Sequence, residues 1–161
     1  MKTALTTILT ICLFAPQVIA GNTVEKQYCI NADFLYNYDG DSLTATFPQL
    51  ANALGKDIDP AGILWYKAKI RVLGIDTPEK RGKCKAEKKL ANIAKEFVKT
   101  RLAKAKSFKL CNFVRGKYFR LVGNVIYTDT NGIEADLSQE LIEADLAVPY
   151  DGGRKTKTWC E

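Results

Sequence analysis

Residues 71–79 have the sequence Arg-Val-Leu-Gly-Ile-Asp-Thr-Pro-Glu, in which an apolar run stops at two acids, a hydroxyl and a proline. The run from Ile70 to Ile75 predicts a core strand. Because side chains alternate along a strand, we expect Arg71 to share a face with Leu73 and Ile75, which would turn its guanidinium inward. An inward arginine needs an anionic partner or ligand, so the end of this strand is a candidate site for chemistry.

A purely structural explanation of the same residues is also available. Thr77 would be the N-cap of a helix, Pro78 its first residue and Glu79 part of its first turn. Two other stretches favour a functional site: the sequence Asp-Gly-Asp-Ser at residues 39–42, and the isolated Arg120. Carboxylates together with two arginines suggest a metal-assisted phosphate site.

The first 20 residues resemble a secretory signal, with Lys2 near the start, an apolar stretch over residues 4–15, Pro16 as a breaker and Val-Ile-Ala at residues 18–20 before Gly21. We expect cleavage after Ala20, leaving residues 21–161 as a single domain. No later stretch is apolar enough to cross a bilayer. The sequence therefore predicts a protein without a membrane anchor, secreted or periplasmic after cleavage.

The chain contains no histidine, which excludes histidine bases, Ser-His-Asp and Cys-His catalysis and phosphohistidine intermediates. Catalysis would have to use carboxylates, cations or a metal. The 24 lysines and arginines exceed the 18 acids by six. This positive balance favours anionic partners, nucleic acid above all.

Of the five cysteines, Cys12 falls in the predicted signal and four remain in the exported chain. An even number in an exported protein favours two disulfides, for which three pairings are possible. We favour Cys84 with Cys160, which would pin the end of the chain near Glu79, and Cys29 with Cys111, which would tie two strands together. A thiolate metal site is less favoured, because the chain has no Cys-x-x-Cys pair.

Hydrophobic periodicity predicts five strands and two main helices. Asp136 with Gln139 resembles a capping box at the start of the second helix. Residues 48–62 break the pattern and are interpreted as a long hairpin excursion. The predicted strands are residues 28–38, 42–47, 65–75, 107–114 and 119–127, and the helices are residues 86–105 and 137–147. This order predicts an α+β fold, mainly β, built as a five-stranded OB-type barrel with two or three helices.

Four motifs in this order resemble the staphylococcal nuclease (thermonuclease) family. They are residues 39–42, residues 71–79, Lys117-Tyr118 followed by Arg120, and Leu-Ala at residues 146–147. The resemblance covers residues 28–150. It implies the five-stranded barrel and a calcium-dependent nuclease that cuts DNA and RNA to leave 3′-phosphate and 5′-hydroxyl ends.

The resemblance also implies a metal site for one Ca²⁺ ion. The carboxylates of Asp41 and Asp76 and the main-chain carbonyl of Thr77 match the ligands. Asp39 matches a supporting acid that reaches the ion through water. Glu79 matches the residue that orients or deprotonates the attacking water. Oxygen ligands suit calcium, which is a hard cation.

Arg71 and Arg120 match the two arginines that clamp the phosphate, a role that suits the planar guanidinium fork. Lys117 and Tyr118 match substrate-binding positions. The acid and glycine that commonly flank Lys-Tyr in the family are Gly116 and Phe119 here, a departure that bears on substrate preference.

Three functions remain open at this point. The favoured one is an exported, metal-dependent endonuclease with little sequence specificity, acting as a monomer. The alternative is an OB-type barrel that binds nucleic acid without cutting it, although simple phosphate binding has no need of three carboxylates beside the anion. A disulfide-stapled barrel for sugars or proteins would leave the two arginines without a purpose.

Overall fold

Five strands with apolar residues at alternate positions close around one core. The computed structural model describes residues 28–48 and 67–160, and the elements within them are β1 (Cys29–Asn37), β2 (Ser42–Thr46), β3 (Lys67–Val72), β4 (Ile75–Asp76), α1 (Lys85–Lys104), β5 (Ser107–Arg115), β6 (Arg120–Thr128), β7 (Glu134–Asp136), α2 (Leu137–Glu143) and β8 (Val148–Pro149). The predicted signal, its cleavage point, the excursion beyond Pro48 and the first residues of the predicted third strand lie outside the described residues.

The barrel strands follow the order β3-β2-β1-β5-β6, and a parallel pairing of β3 with β6 closes the ring. The neighbouring pairs β1–β2, β2–β3, β1–β5 and β5–β6 are antiparallel. This arrangement confirms the predicted five-stranded barrel and the α+β class. Outside the ring, β7 pairs antiparallel with β6, and β4 pairs with β8.

One core packs inside the barrel and under the helices. Leu43, Ile70, Leu110 and Val125 are each at most 2 % exposed and come from four different strands. Helix α1 buries Ala91, Ala94, Val98 and Leu102 along one side. Because burial of apolar surface is the main favourable term in folding, this shared core makes the barrel and helices one unit.

The predicted third strand is shorter than expected. It ends at Val72, and a turn through Gly74, with φ of 81°, separates it from β4. Ile70 and Val72 point into the core, whereas Leu73 is exposed. The prediction that Arg71 shares a face with Leu73 and Ile75 is therefore wrong, because the turn interrupts the alternation on which it rested.

Helix α1 begins at Lys85 and not near Thr77. Its N-cap is Cys84, whose Sγ accepts a hydrogen bond from the amide of Glu87 at 3.4 Å. The explanation of Thr77, Pro78 and Glu79 as the N-cap and first turn of a helix is therefore wrong. These residues form a loop before the helix.

Helix α2 begins where it was predicted but ends at Glu143 rather than near Ala147. Asp136 caps it by accepting a hydrogen bond from the amide of Ser138 at 2.8 Å. The helix stops early because Asp145 has a φ of 56°, a left-handed conformation that helices do not continue through. The amides of the next two residues then turn back to the carbonyl of Leu141.

The described residues contain two disulfides, with the pairing that the sequence analysis favours. Cys29–Cys111 joins directly opposed residues of β1 and β5. Cys84–Cys160 joins the start of α1 to the segment of residues 150–160, called the tail below. Among the helices of the described ranges, none has the length and apolarity needed to cross a membrane.

Candidate active site

Three buried carboxylates meet at one end of the barrel. Asp39 and Asp41 lie in the turn between β1 and β2, and Asp76 ends β4; they are 6 %, 4 % and 3 % exposed. Gly40 lets this turn approach the loop after β4, because a Cβ there would lie 2.9 Å from Cγ2 of Thr77. Without such close approach the acids from two distant segments could not converge.

Asp41 is the most extensively bonded of these acids. Its carboxylate forms an ion pair with the guanidinium of Arg71 and accepts hydrogen bonds from Oγ of Ser42 at 3.0 Å and from the amide of Thr77 at 3.2 Å. The carbonyl of Asp41 also accepts a bond from the amide of Val72 at 2.9 Å. Asp41 thus fixes β2, β3 and the loop after β4 relative to one another.

Asp39 has a different environment. Its Oδ1 atom is buried and has no hydrogen-bond partner within residues 28–48 and 67–160. Burial raises the pKa of this carboxyl, and a hydrogen bond from Ser42 opposes the shift. A buried carboxylate oxygen without a partner is costly, and a nearby cation would relieve that cost.

Asp76 and Glu79 share a cation that the sequence analysis did not identify. Nζ of Lys155 lies 2.7 Å from Oδ1 of Asp76 and 2.6 Å from Oε1 of Glu79. Burial lowers the pKa of Lys155, but the attraction of its ammonium to the two carboxylates outweighs burial and raises the pKa. The predicted link of Cys160 to the loop after Glu79 was the one sequence signal for this contact, because it brings the tail to the site.

Arg71 lies between these acids. Its side chain is 17 % exposed, and Nη2 lies 3.7 Å from Oδ1 of Asp76 and donates to the carbonyl of Ile75 at 3.0 Å. Burial lowers the pKa of Arg71, the charges of Asp76 and Asp39 oppose that effect, and the positive charge of Arg120 adds to it. The two arginines therefore act in one electrostatic environment.

Arg120 begins β6, beside β3. Its Nε atom is buried and, in the part of the chain that the structure describes, has no hydrogen-bond partner. Its guanidinium carbon lies 5.8 Å from the centre of the Tyr118 ring. An arginine with an unused donor is suited to an anionic ligand.

The remaining two predicted site residues lie in a short 3₁₀ turn, Lys117–Phe119, between β5 and β6. Lys117 is exposed and Tyr118 is 81 % exposed. Tyr118 has a φ of 57° and Phe119 a φ of 55°, values that are uncommon for bulky residues. The turn therefore holds Tyr118 over Arg120.

Glu87 is a second residue that the sequence analysis missed. It is buried in the first turn of α1, and its carboxylate accepts hydrogen bonds from the amides of Glu79 at 3.3 Å and Lys83 at 2.8 Å. It therefore holds the loop that carries Glu79. In the sequence it is one acid in a lysine-rich helix, which gives no indication of this role.

The site thus brings together Asp39, Asp41, Asp76, Thr77, Glu79 and Arg71, with Arg120 on the adjoining strand. The model of the staphylococcal nuclease homologue family matches residues 69–158. The match runs from β3 to the tail and begins after the acidic turn of residues 39–42. A comparison with curated proteins finds no match.

Proposed function

The chain belongs to the staphylococcal nuclease homologue family, and from this we propose that it is an exported, metal-dependent endonuclease. It would hydrolyse DNA and RNA phosphodiester bonds to 3′-phosphate and 5′-hydroxyl ends with little sequence specificity. The observation that carries the proposal is the convergence of Asp41 and Asp76 on Arg71, with Glu79 joined to Asp76 through Lys155. Carboxylates repel a phosphate. Their presence beside a phosphate-binding arginine therefore indicates a bound cation or a role in the reaction.

The donor set fits a hard cation such as Ca²⁺. Two buried carboxylates, from Asp41 and Asp76, together with the carbonyl of Thr77 would hold one ion, and Asp39 would support it through water. The Asp39 oxygen without a partner and the ammonium of Lys155 against Asp76 both indicate that this site attracts positive charge. When bound, the ion supplies positive charge to a phosphate oxygen.

Glu79 is proposed as the base. Its side chain is 53 % exposed, so water can reach it, while Glu87 holds its amide. Glu79 takes a proton from the attacking water as the water oxygen bonds to phosphorus. The bond from phosphorus to the 5′ oxygen breaks, that oxygen takes a proton from a solvent water and leaves as a hydroxyl, and Glu79 returns its proton to solvent.

Arg71 and Arg120 would hold the phosphate during this step. Arginine presents paired donors that match phosphate oxygens, and it remains cationic at neutral pH. Their fixed donors would stabilise the charge that develops on the phosphate oxygens, and Arg120 would also face the leaving 5′ oxygen. Lys117 and Tyr118 would contact neighbouring nucleotides.

Export and monomeric state are part of the same proposal. Residues 1–20 would be removed, and the domain of residues 21–161 would act in the periplasm or medium without a membrane anchor. The two disulfides support this setting, because such bonds persist in oxidising compartments.

One observation favours the alternative of a barrel that binds nucleic acid without cutting it. The ammonium of Lys155 already bridges Asp76 and Glu79, and a binding protein could keep these acids neutralised in this way. Activity measurements separate the two functions.

We would test the oxidised mature protein on single-stranded DNA, duplex DNA and RNA with calcium, magnesium or a chelator. Calcium-dependent cutting is expected. Glu79→Gln should lower kcat by about 10²- to 10⁴-fold and Arg71→Ala by about 10²- to 10³-fold. Glu96→Gln, at an exposed position on α1 that pairs with Lys99, is the matched control and should cut normally.

Circular dichroism of each variant separates lost chemistry from lost folding. A wild type that binds DNA but does not cut it with either metal would overturn the endonuclease proposal in favour of the binding barrel.

A further inference from the structure

A groove of about 470 Å³ lies on the outer face of the barrel beside Arg120. Tyr36 and Tyr38 from β1 and its following turn form one wall, and Tyr118 forms another. These rings are 51 %, 48 % and 81 % exposed. Three exposed tyrosines around one groove form a large aromatic surface that the barrel itself does not use for packing.

A bulge in β1 is the reason that two of these rings face outward. Phe34 pairs with Ala45 and Tyr36 with Thr44, so that Leu35 is an extra residue between consecutive pairs. Such a bulge reverses the alternation of side chains beyond it. In a regular strand without this bulge, Tyr36 would lie two residues after Phe34 and point to the same side, which packs against the core.

The pairing register connects Tyr36 to the candidate active site. Tyr36 pairs with Thr44, Thr44 with Lys69, and Lys69 with Arg120. These four residues form one row across β1, β2, β3 and β6. At about 4.8 Å between strands, the row spans roughly 14 Å, which is longer than one base.

Each tyrosine carries a cation against its ring. The cation-to-ring distances are 5.2 Å for Lys67 and Tyr36, 4.9 Å for Lys80 and Tyr38, and 5.8 Å for Arg120 and Tyr118. Lys69 adds a further positive charge to the lining. Alternating aromatic and cationic groups suit a ligand with flat rings joined by negative charges, which is the chemistry of a nucleic acid strand.

We propose that Tyr36 and Tyr38 form a base-binding subsite for a single nucleic acid strand that continues from the phosphate at Arg120. This inference rests on the proposed function. One base stacks on each ring, and Lys67, Lys69 and Lys80 contact the phosphates between them. The strand is single, because the bases of a duplex stack on one another and do not offer their faces to a protein ring.

The test uses a fluorescently labelled 12-nucleotide oligothymidylate and the full mature protein, with a chelator present to prevent cutting. Fluorescence anisotropy gives the Kd over a range of salt concentrations. Tyr36→Ala and Tyr38→Ala should each raise Kd about tenfold, with no change in the slope of log Kd against log salt concentration. Lys69→Ala should instead reduce that slope by about 0.7.

Two controls make the result specific to stacking. Tyr36→Phe keeps the ring and should bind like the wild type. Tyr28→Ala removes an exposed tyrosine that packs near Phe113, away from the groove, and should also bind like the wild type. In cleavage assays with calcium, Tyr36→Ala and Tyr38→Ala should raise KM for single-stranded DNA and leave kcat unchanged.

The outcomes distinguish this subsite from the proposed function. A wild type that cuts DNA while both alanine variants bind with unchanged Kd overturns the subsite alone. An equal loss of affinity in the alanine variants for the oligothymidylate and for a labelled 12-base-pair duplex, measured in the same way, also overturns it. Tyrosine-dependent binding of the single strand without cutting supports the subsite and overturns the endonuclease proposal.

Discussion

Lys155 neutralises two acids that would otherwise face each other at the candidate active site. Its ammonium bridges Asp76, which is almost fully buried, and Glu79, which is half exposed. Two carboxylates that lie close together favour the binding of a cation between them. A divalent ion held by Asp76 would have to displace this ammonium from Oδ1.

We therefore expect Lys155→Ala to bind calcium more tightly than the wild type. Removing the competing ammonium should lower the Kd for calcium by about tenfold, equivalent to about 1.4 kcal/mol. Isothermal titration calorimetry measures this directly. Lys157→Ala is the matched control, because this lysine lies in the same tail but over the ring of Trp159. Equal calcium affinity in both variants would contradict the competition.

At the scale of elements, helix α2 is attached to the barrel by a contact between Tyr127 of β6 and Glu140. The tyrosine hydroxyl donates to Oε2 of Glu140 at 2.5 Å, and Arg101 of α1 lies 3.5 Å from the other carboxylate oxygen. Burial first, and then the bond to Glu140, raise the pKa of Tyr127 above its usual value near 10. The contact therefore requires the protonated phenol.

The sign of the pH effect follows from this shift. Above about pH 10 the unfolded chain loses the Tyr127 proton while the folded protein keeps it, so the free energy of unfolding should fall by up to about 1.4 kcal/mol per pH unit from this group. Urea unfolding at pH 8, 10 and 11 measures the fall. Tyr127→Phe should be less stable by about 1–2 kcal/mol at pH 8 but lose less between pH 10 and 11. A parallel decline in both proteins would contradict the assignment.

At the scale of the whole molecule, the two disulfides close loops of similar size but connect different parts. Their sequence separations are 82 residues for Cys29–Cys111 and 76 residues for Cys84–Cys160. Chain-entropy reasoning assigns them similar stabilisation, typically about 2–4 kcal/mol each. Only Cys84–Cys160 ties down the tail that carries Lys155.

Removing each bridge separately should therefore distinguish stability from site chemistry. Both Cys29→Ser with Cys111→Ser and Cys84→Ser with Cys160→Ser should lower the midpoint of urea unfolding. Only the second pair should tighten calcium binding, because the released tail withdraws the ammonium from Asp76. Serine keeps the helix cap at residue 84, since its oxygen can accept the same amide bond. A change in calcium affinity with the first pair, or none with the second, would contradict this role of the tail.

Much of the architecture was predictable because the signals that specify it are local. Alternation of apolar residues, helical periodicity and the Asp136 cap predict strands and helices close to those observed, and the ordered motifs predict the family. The errors occur where a local rule is interrupted. Gly74 breaks the alternation after Val72, and Asp145 ends α2 early, both through positive φ values that a periodic pattern does not reveal.

By itself, the sequence determined the barrel, the family and the set of acids and arginines from which a site could be built, because residue type and spacing carry that information. Only the tertiary structure decided which groups touch. Lys155 reaches Asp76 and Glu79 across 79 and 76 positions of the chain, and one bulge turns Tyr36 outward to align with Arg120. Such contacts depend on chain closure and strand register, which are properties of the folded molecule and not of any one segment.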